Sequence, residues 1–466
     1  MESGKPYFFC GIGGSGMLPL ACIVRARGHE VAGSDRSLDQ GRLAEKFDFL
    51  RRLGIALFDQ DGSGIVSADQ LLVTSAAIEE TVPDVVKAKL LGCERLTRPE
   101  LLARLFNDAP LGIAVGGTSG KSTTTGMIGW ILHAAGRDPT VMNGAVMKNF
   151  VSEETPFASA LVGRGDAFVS EVDESDGSIA LYRAKVAVLN NISLDHKSLE
   201  ELRHLFRDFA SQAEKVVVNL DDDETRLLAA ALPAEKLVTY SCSDRSADFY
   251  SLGIDSAGEI TRFSVTDKAS GETRMAFLRM WGAHNGYNAL SAIAAATTAG
   301  VKFGDAVDAI AMFEGLGRRF EVVGKKRDIL VIDDFAHNPD KIRATLSAAR
   351  SCLQGRLLVF FQPHGFGPLR MMKEELIDCF AGNLADRDVL ILSDPVYFGG
   401  TTDRSVGSGD IVAGVRAAGR RAEHIADRDA CGARLVELAR PGDRILVMGA
   451  RDDTLSQFAA QVLAAL

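Results

Sequence analysis

The chain has 466 residues, long enough for about two to four domains with sizeable cores. Its 46% hydrophobic and 24% charged content is that of a soluble globular protein, and a formal net charge of −10 argues against a nucleic-acid binder held by phosphate neutralisation. The seven scattered cysteines form no C-x-x-C pair, no apolar run approaches the ~20 residues of a membrane span, and the short apolar run of "YFFC" is broken by glycines, so a cytoplasmic protein with reduced thiols, no signal peptide and no membrane partner is expected.

In chain order, "YFFCGIGGSGMLPLACIVRARGHEVAGSD" reads as strand, glycine turn, helix, strand, which is a βαβ unit. "QLLVTSAA" is a further strand; "PDVVKAKLLG" and "RPELLARLF" are helices. A first domain over 1–109 is expected to end there. A second block, 110–316, opens with "LGIAVGGTSGKSTTTGMIGWILHAAG": strand, loop, helix. "AFVSEVDESDG", "VAVLNNISLDH" and "KVVVNLDDDE" are buried strands ending in polar clusters. Residues 237–283 carry short alternating runs that predict a small antiparallel β section, and "AHNGYNALSAIAAATTAG" predicts a buried helix. In a third block, 317–466, four buried-strand patterns alternate with helical stretches: "DILVIDDFAHNP", "RLLVFFQPH", "DVLILSDPVY" and "DRILVMGARDD". They predict a doubly wound parallel sheet.

Two glycine loops carry chemistry. Gly116–Thr125 follows a strand and opens a helix, where free N–H groups and the positive dipole end hold anions. Lys121 is suited to a terminal phosphate, and Ser122 or Thr123 to Mg²⁺. The usual first glycine is replaced by Val115, so the loop is a shortened variant. Gly11-x-Gly13-x-x-Gly16 is a dinucleotide-type fingerprint, with Asp35 ending the next strand. Alone it points to NAD; beside a second phosphate loop, a diphosphate in another ligand suits it equally.

"GTSGKSTTT", "SEVDESD", "NNISLDH", "HNGYNA", "GRRFE" and "DDFAHNP" stand in the order seen in the Mur ligases, which the chain resembles over nearly its whole length. These are ATP-dependent amide-forming enzymes of peptidoglycan synthesis. "GIGGSGM", "GSD", "VTSAAI" and "FFQPH" are similar to the branch that adds L-alanine to UDP-N-acetylmuramate. The resemblance implies an α/β fold of three domains: Rossmann-like, then P-loop ATPase-like, then Rossmann-like again. It implies that a carboxylate on the UDP-sugar takes the γ-phosphate of ATP and that the resulting acyl phosphate is attacked by an amine. The first cradle, with Gly13, Gly14, Ser15, Gly16, Met17, Asp35 and Ser75, would hold the UDP-sugar. ATP would be held by Gly117, Thr118, Ser119, Gly120, Lys121, Ser122 and Thr123, by Asn285 and Asn288, and by Arg319 and Asp334. Ser122 would ligate the nucleotide's Mg²⁺, and Glu171 and His196 a second Mg²⁺. Lys121, Glu171, His196, Arg319 and His337 would form the catalytic set, with Asn191 ordering the nearby loop. His337, His364 and Arg370 would face the amine, and sequence does not rank His196, His337 and His364 as the base. A monomer or homodimer is expected.

The pattern departs on the amine side. After "FQPH" that branch has arginine, tyrosine, any residue, arginine; here the residues are Gly365, Phe366, Gly367 and Pro368, and the nearest arginine is Arg370. Asn338 stands where a second histidine is common, and "YFGGTTDRSVGSGD" does not match. The amine could therefore be L-alanine bound differently, another amino acid, or a murein peptide. A nucleotide-sensing protein that does no chemistry and a nicotinamide oxidoreductase are the alternatives from other classes.

Overall fold

The computed structural model describes residues 4–193, 197–396 and 403–466. It is an α/β protein with three sheets in two compact units. The first unit runs to Asp255 and adds Arg262–Arg279 and Ala283–Gly315. The second takes Ser256–Thr261, Met280–Gly282 and Leu316–Leu466.

The first sheet has strands β1 (Tyr7–Cys10), β2 (Val31–Ser34), β3 (Ala56–Phe58), β4 (Leu71–Thr74) and β5 (Glu94–Thr97). All pair in parallel, in the order β3-β2-β1-β4-β5. β1 and β4 are buried at every residue, as apolar strands covered on both faces must be. The strand order reverses between β1 and β4, and a ligand crevice in such sheets opens beyond the C-terminal ends at that point. The 11–16 loop leaves β1 there, and Ser75 follows β4.

The second sheet holds β6 (Leu111–Gly116), β7 (Thr140–Met142), β8 (Ala160–Leu161), β9 (Ala167–Glu171), β10 (Val186–Leu189), β11 (Lys215–Asn219), β12 (Leu237–Ser241), β13 (Phe249–Tyr250), β14 (Ile254–Ala257), β15 (Ile260–Asp267) and β16 (Glu272–Leu278). β6 lies between β9 and β10 and is parallel to both. The phosphate loop, Glu171 and Asn190 therefore emerge side by side from three neighbouring strands. The antiparallel section starts later than the sequence pattern suggests. β12 is parallel to β11 and β13 to β12; the direction reverses where β13 meets β15. β12 has three half-buried residues before two buried ones, so it lacks the continuous apolar run of an inner parallel strand. Within this unit Phe106 meets Phe168 of β9 edge-on at 5.7 Å and Tyr182 at 5.1 Å, so the first two sheets share one apolar core.

The second unit's sheet comprises β17 (Glu321–Lys326), β18 (Ile329–Asp334), β19 (Leu357–Gln362), β20 (Val389–Leu392), β21 (Arg421–His424) and β22 (Arg444–Gly449), in the order β17-β18-β22-β19-β20-β21. Only β17 is antiparallel to its neighbour. Alternate residues enter two cores: Leu330, Ile332, Leu357, Val359 and Phe361 on one face, Ile329, Val331, Leu358 and Phe360 on the other. Trp281 joins the first core, 5.8 Å from the Phe320 ring, with the Arg444 guanidinium 4.6 Å above it.

One buried amide fixes the ground under the phosphate loop. Asn190 Nδ2 donates to Thr124 Oγ1 at 2.9 Å, while its Oδ1 accepts from the hydroxyls of Ser291 at 2.8 Å and Tyr240 at 3.3 Å. These partners come from the helix Lys121–Ala134, the helix Ala283–Thr298 and β12. All four side chains are buried. Asn190→Ala leaves three hydroxyls short of a partner and is expected to cost about 2 kcal/mol of stability. Urea unfolding should show a lower midpoint with an unchanged slope. A midpoint equal to that of the parent chain would mean the network is not load-sharing.

Candidate functional site

The phosphate loop is built by its glycines. Gly117 (φ +131°) and Gly120 (φ +82°) adopt backbone conformations that side chains disfavour. A Cβ on Gly120 would also collide with Asn288 Oδ1. The helix Lys121–Ala134 begins at once, and the amides of Gly120, Lys121 and Thr123 donate to no protein group among the described residues. That leaves an anion cradle at a helix N-terminus. The segment after β10 clamps the loop from outside. Ser119 N donates to Asn191 Oδ1 at 2.8 Å, Asn191 Nδ2 to Ser119 O at 3.2 Å, and Thr118 Oγ1 to Ser193 O at 3.1 Å.

The side chains expected here come together. Ser122 Oγ donates to Glu171 Oε2 at 2.6 Å. Gly144 is required beside them, because a Cβ there would overlap Glu171 Oε1. A hydroxyl and a carboxylate are hard oxygen ligands, so the pair fits Mg²⁺. Lys121 Nζ donates to Gly117 O at 2.6 Å and sits 2.9 Å from the buried Glu174 carboxylate. Glu174 was not singled out by the sequence pattern; the signal was the crowding of three acids in 171–174 beside a loop lysine. Asn285 and Asn288 are both buried, 3.2 Å apart, on the helix that backs the loop. Thr124 Oγ1 reaches Asn288 Oδ1 at 3.5 Å. His196 lies outside the described residues.

At the first cradle, Asp35 is committed to the chain itself. Its Oδ2 accepts from Gly13 N at 2.9 Å and its Oδ1 from Ser37 N at 2.7 Å, capping the short helix Arg36–Asp39. Asp35 therefore shapes the loop. Gly14 and Ser15 are exposed. The Met17 side chain is buried in the core and its amide donates to Gly14 O at 3.0 Å. A Cβ on Gly16 would stand 3.0 Å from Arg98 Cδ, which puts a guanidinium beside the cradle. Arg98 opens the helix Arg98–Asn107, a position with no motif to flag it.

In the second unit, Arg319 projects from a turn with Arg318 (φ +56°) and Phe320 (φ +51°) in the left-handed region. Asp334, at the end of β18, holds that turn. Its Oδ2 accepts from Phe320 N at 2.5 Å, and its Oδ1 from Ala336 N at 2.8 Å and Thr345 Oγ1 at 3.0 Å. The neighbouring Asp333 is fully buried, 3.3 Å from Arg318 Nε; burial pushes its carboxyl up to about 6 against the pull of Arg318. The Arg319 guanidinium lies 4.7 Å from the Phe335 ring centre. His337 Nδ1 is 2.9 Å from Phe335 O. A carbonyl only accepts, so Nδ1 carries the proton and Nε2 offers a lone pair. The His364 ring stands 5.1 Å away, nearly perpendicular. Burial, with Lys341, His364 and Arg319 nearby, depresses His337 to about 3, so it is neutral at pH 7. Arg370 is exposed and pairs with Asp403 at 2.6 Å; Phe366–Met371 forms a short helix.

Three family models match along the chain: "Mur ligase family, catalytic domain" over residues 6–109, "Mur ligase middle domain" over 115–296, and "Mur ligase, glutamate ligase domain" over 318–451. The chain is 35% identical over 451 residues to the UDP-N-acetylmuramate--L-alanine ligase of Geobacter sulfurreducens, covering 95% of this chain and 94% of that one. It is 36% identical over 473 residues to the protein of the same name from Clavibacter michiganensis, covering 100% and 94%. Among solved structures, the UDP-N-acetylmuramate-alanine ligase of Thermotoga maritima superposes with a TM-score of 0.79 at 23% identity, over 99% of both chains. The murein peptide ligase of Psychrobacter arcticus gives 0.71 at 26%, over 99% and 98%. With the cradle, the oxygen-ligand pair and three matches covering most of its length, the chain belongs to the Mur ligase family.

Proposed function

We propose that the chain is an ATP-dependent ligase that joins the carboxylate of UDP-N-acetylmuramate to the amine of L-alanine in peptidoglycan precursor synthesis. The observation that carries this reading is the grouping of Lys121, Ser122 and Glu171 at one helix N-terminus, in a chain with a second glycine cradle on its own sheet. The carboxylate oxygen forms a bond to the γ-phosphorus as the bond to ADP breaks. The amine nitrogen then attacks the acyl carbon, loses a proton, and phosphate leaves. Phosphoryl transfer asks for positioning and charge neutralisation, and Lys121 supplies both to the terminal phosphates. Mg²⁺ held by Ser122, Glu171 and His196 would neutralise phosphate oxygens. Arg319 is assigned to the developing phosphoryl charge, and Asp334 to the support of Arg319. His337 Nε2, neutral and carrying a lone pair, is the acceptor assigned to the amine proton. The reaction draws on ATP, which assigns it to the cytoplasm; no helix of the described residues is long and apolar enough to cross a membrane.

A second reading, ligation of a murein peptide, is favoured by one observation. The segment expected to grip an amino-acid carboxylate has Gly365–Pro368 in place of two arginines, and Arg370 is occupied by Asp403. Phosphate release from ATP with UDP-N-acetylmuramate, run over L-amino acids, D-amino acids and murein peptides with product mass confirmed, separates the two. L-alanine is expected to be the stimulating amine. Stimulation by a tripeptide alone would replace it, and no stimulation by any amine would sink the ligase.

Two variants follow. Lys121→Met should lower kcat by about 10³-fold while UDP-N-acetylmuramate binding survives. Glu171→Gln should raise the Mg²⁺ concentration for half-maximal rate about tenfold or more; an unchanged Mg²⁺ requirement would remove Glu171 from the ligand set.

His337 also gives a pH signature. Its folded pKa is depressed from 6.5 to about 3, so the unfolded chain binds the extra proton between those values. Its contribution to stability is present above pH 6.5 and is lost as pH falls toward 3. His337→Gln should flatten that acid limb in denaturation measured from pH 7 to pH 4. A limb of unchanged slope would mean His337 titrates normally.

A further inference from the structure

The second unit holds a cavity of about 350 Å³ that the ligase reading does not use. Five of its lining residues are arginines: Arg356, Arg416, Arg420, Arg421 and Arg434. The one lining carboxylate is Glu423. In a chain of net charge −10 this is a local reversal of sign. The cavity lies at the start of the strands, since Arg356 precedes β19, Val389 opens β20 and Arg421 opens the edge strand β21. His364 follows the other end of β19. Six strand residues separate the two ends by about 20 Å, so the cavity is distinct from the histidine pair.

The arginines are only partly engaged. Glu423 takes Arg434 in a two-pronged pair, 2.9 Å at both nitrogens, and Arg434 Nη1 reaches Glu437 at 2.9 Å. Arg356 places Nε on Asp443 at 3.1 Å and Nη2 on Leu438 O. Arg420 places Nε on Ala381 O at 3.0 Å and Nη1 on Asp386. Arg416 uses Nε alone, on Ala422 O at 2.6 Å, and has no carboxylate within salt-bridge distance among the described residues. The Arg421 side chain makes no hydrogen bond or ion pair among the described residues. Both terminal nitrogens of Arg416, the whole guanidinium of Arg421, Nη1 of Arg356 and Nη2 of Arg420 are thus left to donate. Crowded guanidinium groups repel one another until an anion enters, and their planar forks match phosphate oxygens. Val389 and Leu438 add an apolar wall.

We propose that this cavity is a binding site for a small anion bearing two phosphoryl groups, at the opposite end of its sheet from the His337–His364 pair. Inorganic diphosphate and a bisphosphorylated metabolite share that chemistry. The proposal does not rest on the ligase reading. Calorimetry with pyrophosphate and with fructose 1,6-bisphosphate, on full-length chain carrying Lys121→Ala to silence the phosphate loop, is the test. Binding near one equivalent is expected, weakened about tenfold or more when Arg416→Gln and Arg421→Gln are added, with the melting temperature of the free chain unchanged. Arg421→Gln alone, at an exposed side chain, should weaken it about threefold and guards against misfolding of the double variant. Tighter binding of pyrophosphate would identify an inorganic ligand, and tighter binding of the bisphosphate an organic one. Equal affinity with and without the arginine changes, no heat from either probe, or binding of a hexaglutamate peptide in preference to both would overturn the proposal.

Discussion

The chemistry of the first unit hangs on how the residues after β10 grip the loop after β6. Asn190 faces inward and ties two helices and a strand through its amide; Asn191 faces outward and holds Ser119 at both backbone atoms. Two adjacent asparagines thus lock one loop from both sides. The asymmetry of hydrogen bonding explains why this is strong. Each made bond contributes modestly, whereas each buried group left without a partner costs its full desolvation. A loop so held keeps its amides aimed without help from ligand, which is the preorganisation that electrostatic catalysis uses.

Charge is placed by the same logic in both units. Lys121 is held by Glu174 and the Gly117 carbonyl, and Glu171 is kept in line by the Ser122 hydroxyl and by the absence of a side chain at Gly144. In the second unit, Asp333 and Asp334 anchor the two residues flanking Arg319, whose left-handed backbone is the stored strain of that turn. Asp334, which the sequence suggests as a contact, is thereby occupied in holding a turn, while Glu174 and Asp333, which the sequence does not single out, hold cations.

What was legible in the sequence was what burial makes periodic. The inner strands β1, β4, β9, β10, β18, β19, β20 and β22 are apolar runs, and the glycine loops sit where those runs end. The edge strands β3, β5, β17 and β21 were not legible. Each has one flank open, and their residues are largely exposed or half-buried, so β5, β17 and β21 carry no long apolar run and the one in β3 is only three residues within the strand. The site was legible in its ligand types and not in its internal partners. Lys121 and Ser122 could be named from motif spacing and Glu171 from the family resemblance, but Glu174, Arg98 and the inward commitment of Asp35 depend on contacts between distant segments that spacing does not encode. The late start of the antiparallel section has the same origin: β12 carries its burial on only part of its length.

The second compact unit is not a continuous stretch of chain. It takes Ser256–Thr261 and Met280–Gly282 out of the middle of the sequence, and Trp281 brings one of its larger aromatic rings. Exchange of carboxy-terminal segments between related proteins at residue 316 would therefore separate Phe320 and Arg444 from the ring they pack on. Recombination that preserves this core must carry the two short segments along or keep their sequence matched to it. The natural joint for shuffling this unit is thus a set of five cuts in the gene, two around each short segment and one before residue 316, and a single crossover at the apparent boundary would leave the hybrid with a mismatched core.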